Sequence, residues 1–231
     1  QFLSITRPMM NCLYATPVAA LLLCLSVLVA ATTSSGEEAE LPKREHIRLN
    51  LDWADNWGDW GPEAFCPDEY FATAFEIKVQ SYDGAIIDDT AINAIQLICN
   101  HAFYNTTTKD APQLRDFPIS SLQAPWGDWR ARQECSGWLT ALRMLSDPPE
   151  GVFSDDLAAS ELEMACDWDP EEVRPGGGIT QWGTWSSWEY CPHGWAICGL
   201  ETQVDPDTIT GDETALNNVK MFCCELPEGS Y

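Results

Sequence analysis

The sequence predicts an all-β domain built as an internal three-fold repeat, and three observations predict it. Trp-Gly-x-Trp with a cysteine nine positions after its first tryptophan occurs three times: Trp57-Gly58-Asp59-Trp60 to Cys66, Trp126-Gly127-Asp128-Trp129 to Cys135, and Trp182-Gly183-Thr184-Trp185 to Cys191. Each copy continues into runs of alternating polar and apolar residues, the period of a half-buried strand. Each then carries an acidic turn that begins eleven residues before a closing cysteine, from Asp88 to Cys99, Asp155 to Cys166 and Asp212 to Cys223. Agreement in order and spacing across three copies marks a repeated structural unit.

Taken in order, the chain opens with a stretch that is apolar almost throughout from Val18 to Ala30, followed by small and polar residues. Residues 1–31 read as a secretory signal peptide cut near Ala30 or Ala31, with residues 1–8, ahead of Met9-Met10, as upstream translated sequence. The apolar run is too short to span a bilayer. Residues 32–46 are charged and aperiodic, and read as an acidic disordered spacer. The remainder, 47–226, reads as one domain with repeats at about 47–100, 121–169 and 178–226. The link at 101–120 reads as a surface loop and carries the one glycosylation sequon, at Asn105-Thr106-Thr107.

Within the first repeat, Phe71, Thr73, Phe75, Ile77 and Val79 fall on one face of a strand, while Ala72, Ala74, Glu76 and Lys78 fall on the other. The same phase precedes each closing cysteine, at Ile95 and Leu97, Leu162 and Met164, and Val219 and Met221. Prolines and glycines, among them Pro62, Gly84, Pro148-Pro149 and Gly211, interrupt the chain too often for helices.

Cys12 and Cys24 go with the leader, which leaves eight cysteines at repeating spacings. In an exported chain this implies disulfides. The repeat register pairs Cys66 with Cys99 and Cys135 with Cys166, and leaves Cys191 and Cys198 to share Cys223 and Cys224. No metal site is expected, because no Cys-x-x-Cys occurs and the chain holds three histidines. No cofactor is expected either. The formal charge of −24 repels phosphate backbones and anionic membrane surfaces, which argues against nucleic-acid partners.

Two groups of residues bear on function. The acidic turns supply Asp88, Asp89, Asp155, Asp156, Asp212 and Glu213, whose short side chains suit tight turns by accepting backbone N–H bonds. Their alternative role is as paired carboxylates acting on a glycosidic bond, and Glu161 and Glu163 of the second repeat are further candidates for such a pair. The chain also has 11 tryptophans. Positions three apart on a strand face opposite ways, so one indole of each Trp-x-x-Trp should enter the core. Trp60, Trp129 and Trp185 are then the candidates for a rim on which sugar rings stack.

Trp-Gly-Asp-Trp with its cysteine, Asp-Asp-Thr-Ala-x-Asn, and the terminal Asn217-Asn218-Val219-x-Met221-Phe222-Cys223-Cys224 resemble the repeats of the vitelline membrane outer layer protein family across residues 47 to 226. The resemblance implies a β-prism, three antiparallel sheets, one per repeat, around a common core. It also implies a secreted, extracellular protein of an egg coat or mucus layer, with glycans or glycoproteins as partners; no segment after the leader is long and apolar enough to be a membrane anchor. One egg-coat member of that family is credited with transferring N-acetylglucosamine oligosaccharides, so a glycosyl transfer activity on chito-oligosaccharides is the alternative. Absence of a nucleophile and histidine constellation favours the binding protein.

Overall fold

The computed structural model describes residues 44–51, 58–80, 92–103, 116–146, 159–179, 183–205 and 215–230. The signal peptide, the acidic-turn residues and Asn105 lie outside them. Among the described residues there is no helix, and fifteen strands form three antiparallel sheets.

Each sheet is centred on a long hairpin written by one repeat: β4 (Tyr70–Val79) with β5 (Ile92–His101), β9 (Leu139–Ser146) with β10 (Ala159–Cys166), and β14 (Trp195–Val204) with β15 (Leu216–Glu225). The expectation of one sheet per repeat is corrected at the edges. Two-residue strands from the Trp-Gly-x-Trp region of the following repeat add to each hairpin. β7 (Asp128–Trp129) and β8 (Gln133–Glu134) pair with β4, β12 (Thr184–Trp185) and β13 (Glu189–Tyr190) pair with β9, and β2 (Asp59–Trp60) and β3 (Ala64–Phe65) return to pair with β14. The other edges are β6 (Phe117–Ser120) on β5, β11 (Val173–Pro175) on β10 and β1 (Ile47–Asn50) on β15. The start of the first repeat therefore completes the sheet of the last one. A strand edge left bare there would expose a row of unpaired backbone groups.

Both hairpin strands bulge at equivalent places. The register slips at Thr73, Thr140 and Cys198 on the first strands, and at Asn93, Ser160 and Asn217 on the second. A bulge inserts one unpaired residue, increases the twist and bends the sheet, which lets three sheets curl around one axis. It also corrects the predicted alternation. Phe75, Ile77 and Val79 enter the common core with Ala72, whereas Phe71, on the far side of the Thr73 bulge, joins a second cluster with Trp138, Cys198, Phe222 and Cys224. Ile95, Leu97, Leu142, Met144, Leu162, Met164, Leu200, Val219 and Met221 fill the same common core. Since every hairpin contributes to it, the three sheets form the sides of a β-prism.

Three disulfides join neighbouring sheets in rotation: Cys66–Cys99, Cys135–Cys166 and Cys191–Cys223. Each ties the leading segment of a repeat, which lies on the preceding sheet, to that repeat's own hairpin. Cys66, Cys135 and Cys191 are placed for this by donating their N–H groups to the carbonyls of the bulge residues Cys198, Thr73 and Thr140 at 2.8 Å. Cys198–Cys224 lies within the third sheet, across β14 and β15.

Two boundaries differ from the expectation. Residues 44–46, read as the end of a spacer, are packed: Arg44 donates to the carbonyl of Tyr70 at 2.9 Å and covers the Phe71 ring, and His46 packs against both Phe65 and Phe222. The 101–120 link, read as loop, contributes β6, because residues 117–120 find free backbone groups on β5.

Candidate functional site

The glycine of each Trp-Gly-x-Trp decides where its second tryptophan goes. Gly58, Gly127 and Gly183 have φ of +82°, +78° and +101°. A Cβ at Gly58 or Gly127 would also meet the backbone of Val204 or Val79 at 2.4 Å. The chain turns tightly against the hairpin, then runs beside it for two residues, so Trp60, Trp129 and Trp185 occupy equivalent places opposite Gln203, Lys78 and Leu145. The expected core and rim division within each pair does not hold in the second repeat. Trp126 and Trp129 are 44% and 40% exposed, since Trp126 precedes the turn and lies on no strand.

The three equivalent indoles differ in what covers them. The Lys220 ammonium sits 3.2 Å from the Trp60 ring centre and is held there by Glu201 at 3.0 Å. The Arg143 guanidinium lies 4.4 Å from Trp185 and 4.9 Å from Trp188, fixed by Glu163. A cation over an aromatic face is attracted by the ring quadrupole. On the first sheet the lysine next to Trp129 turns elsewhere: Lys78 donates to the carbonyls of Ala124 and Pro125 at 3.2 and 2.7 Å. Among the described residues no cation covers Trp129. The sequence singled out the three indoles but not their caps, because Lys220 and Arg143 come from strands distant in the chain.

Glu163 is therefore one partner of an ion pair. Glu161 is 2% exposed, and its carboxylate accepts from the N–H groups of Leu162 at 2.8 Å, Gly177 at 3.2 Å and Gly178 at 2.8 Å. Burial pushes this carboxyl up, opposed by those backbone donors. Gly176 and Gly178 can lie over it because they lack side chains: a Cβ on Gly176 would fall 3.0 Å from the Glu161 carboxylate, and one on Gly178 would fall 2.1 Å from the Ser160 carbonyl oxygen. In the third repeat, Asn218 accepts from Val219 in the same position as Glu161 from Leu162.

A cleft of about 240 Å³ opens on the first sheet between Ala74, Ile98, Asn100, Asp116, Arg132 and Glu134. Arg132 donates to Glu76 at 3.1 Å and to Asp116 at 3.3 Å, with Glu134 at 4.0 Å. Asn100 lines the cleft, accepting from the Asp116 N–H at 2.9 Å and donating to Thr73. Sequence reading missed this group because it assembles from both sides of the link. Among the described residues no cluster of His, Cys, Asp and Glu has metal-binding geometry, and no helix is long and apolar enough to cross a membrane.

Asp88, Asp89, Asp155, Asp156, Asp212 and Glu213 lie outside the described residues, so the structure neither gathers nor separates them.

The profile of the family described as vitelline membrane outer layer protein I matches residues 48–226. The chain is 35% identical over 173 residues to the Homo sapiens protein named vitelline membrane outer layer protein 1 homolog, covering 73% of this chain and 78% of that one. It is 34% identical over 170 residues to the Mus musculus protein of the same name, with the same coverage. Among solved structures, a mannose-specific jacalin-related lectin from Morus nigra, in complex with mannose, aligns with a TM-score of 0.48 at 9% identity, over 78% of this chain and 95% of that one. Calystegia sepium agglutinin aligns with a TM-score of 0.47 at 10% identity, over 78% and 97%. With a profile matched across all three hairpins and relatives above one-third identity, this chain belongs to the vitelline membrane outer layer protein I family.

Proposed function

We propose that this protein is a secreted component of an extracellular coat or mucus layer and binds glycans or glycoproteins without cleaving them. The observation that carries the reading is the uncovered indole of Trp129 beside exposed Trp126, where the equivalent Trp60 and Trp185 are capped by Lys220 and Arg143. An open indole face is a stacking platform for the apolar side of a sugar ring. Four disulfides suit an oxidising compartment. The formal charge of −24 disfavours polyanionic glycans and leaves neutral N-acetylated sugars unopposed.

The rival reading is glycosyl transfer by a carboxylate pair, and Glu161 favours it in one respect, a carboxyl held above its ordinary range. Its oxygens are nevertheless occupied by backbone N–H groups under a glycine cover, and Glu163 is paired to Arg143.

Titration with chitotetraose, followed by tryptophan fluorescence and by mass spectrometry of the sugar, tests both. The expected result is a fluorescence change lost in Trp129→Ala, retained in Trp60→Ala, with the oligosaccharide unaltered. Shortened or lengthened oligomers that disappear on replacing a single Asp or Glu in a folded variant would establish an enzyme instead.

A further inference from the structure

The three sheets share one more equivalent position, and they use it differently. Just past the first-strand bulge, Gly199 opposes Phe65 on one side and Phe222 on the other, while Ala74 opposes Glu134 and Ile98. On the third sheet this place is filled from within. Phe65 and Phe222 stack at 4.8 Å, and His46, just before β1, packs against both at 5.0 Å. Gly199 gives the rings room, since a Cβ there would lie 2.8 Å from Phe65 and 3.2 Å from Phe222.

On the first sheet the three ring positions are taken by Glu134, Ile98 and Asp116, the last just before β6. What replaces the rings is the cleft of about 240 Å³. We infer that this cleft is a subsite for a single neutral pyranose ring, an inference that rests on the glycan-binding reading above and adds a place distinct from the Trp126 and Trp129 face.

Three features set the ligand class. Its size is below the roughly 300 Å³ at which pockets enclose drug-sized molecules, which fits one ring and not an oligosaccharide. Its base, Ala74 and Ile98, is apolar and nearly closed to solvent, with Trp138 as a wall. Its rim alternates acceptors and donors: the Asp116 and Glu134 carboxylates flank Arg132, whose Nε and Nη1 are engaged and whose Nη2 bonds to no described residue. A hydroxyl can give its hydrogen to a carboxylate and accept one from a guanidinium, so adjacent hydroxyls on one ring match that alternation. An anionic ligand would meet three carboxylates around the single guanidinium of Arg132, a balance that opposes it.

The double variant Ala74→Gly/Glu134→Phe places one of the third sheet's rings, the counterpart of Phe65 beside Gly199, inside the cleft. The probe is methyl β-N-acetylglucosaminide, observed by saturation-transfer NMR, with chitotetraose fluorescence measured in parallel. The wild type and Trp129→Ala are expected to give saturation transfer to the monosaccharide, and the filled variant to lose it while keeping the chitotetraose response. Glu134→Ala, which changes no packing, should weaken monosaccharide binding about tenfold, the worth of one charge-assisted hydrogen bond. If the filled variant melts like wild type yet binds the monosaccharide unchanged, or if Trp129→Ala abolishes monosaccharide binding, the cleft is not the subsite and the glycan reading stands on the exposed indoles alone. If neither sugar binds wild-type protein, both readings fall.

Discussion

The amide of Asn100 donates to the hydroxyl of Thr73 at 2.5 Å, in the place where the third repeat carries the Cys198–Cys224 disulfide. Thr73 and Cys198 are both first-strand bulge residues, and Asn100 and Cys224 each follow a closing cysteine. One repeat thus closes by a hydrogen bond what another closes covalently. The second repeat uses a third solution: the Thr140 hydroxyl accepts from the Trp168 N–H at 2.8 Å.

The equivalence predicts that Thr73→Cys/Asn100→Cys forms a fifth disulfide in the folded protein. In the chain-entropy view, closing a loop of that length stabilises by roughly 3 to 4 kcal/mol. Mass under non-reducing conditions and the thermal midpoint with and without reductant measure it. Two free thiols in the folded variant would show that the two hairpins are not superposable here.

The motif glycine should be costly to replace. Gly127→Ala combines the left-handed φ of +78° with a Cβ 2.4 Å from the Val79 carbonyl carbon, so it should lose about 2 kcal/mol or more. Gly229, with φ of +81° and nothing within 4 Å, supplies a control in which conformation alone acts, at about 1 kcal/mol. Urea unfolding of both variants separates the two causes, and equal losses would remove the role assigned to close approach.

Glu161 predicts a pH dependence with a definite sign. Its carboxyl is raised in the folded state by burial, against the backbone N–H groups of Leu162, Gly178, Gly177 and Gly176. The folded protein therefore holds that proton more tightly than the unfolded chain. The stability it confers is fully present below the ordinary glutamate value of about 4.3 and is lost as pH rises through the raised value. Relative to Glu161→Gln, which does not titrate, wild-type stability should fall across that interval by up to about 1.4 kcal/mol per pH unit. Wild-type stability that instead rises with pH relative to Glu161→Gln would mean that the backbone hydrogen bonds outweigh burial.

The three-fold repeat, the all-β class, the inward residues near each closing cysteine and the pairing of Cys66 with Cys99 and Cys135 with Cys166 were all legible in the sequence. Each is written as a spacing, and spacing survives folding: a period of two fixes which residues share a face. Three things were not. A period of two names no neighbour, so nothing local reveals that each Trp-Gly-x-Trp joins the hairpin of the preceding repeat. Nor does it choose between Cys223 and Cys224. In the structure the first enters the common core and meets Cys191, and the second falls in the other cluster beside Cys198, because adjacent strand residues face opposite sides.

Candidate binding residues were the least legible. Trp60, Trp129 and Trp185 are equivalent in sequence and in backbone position, yet two are capped and one is open, and the caps arrive from strands far along the chain. The cleft differs from its filled counterpart by substitutions at Glu134, Ile98 and Asp116 that look unremarkable one at a time. The sequence by itself determined the repeat and its faces; only the tertiary structure decided which surfaces are filled by the protein's own rings and cations, because that depends on long-range strand pairing that no local pattern encodes.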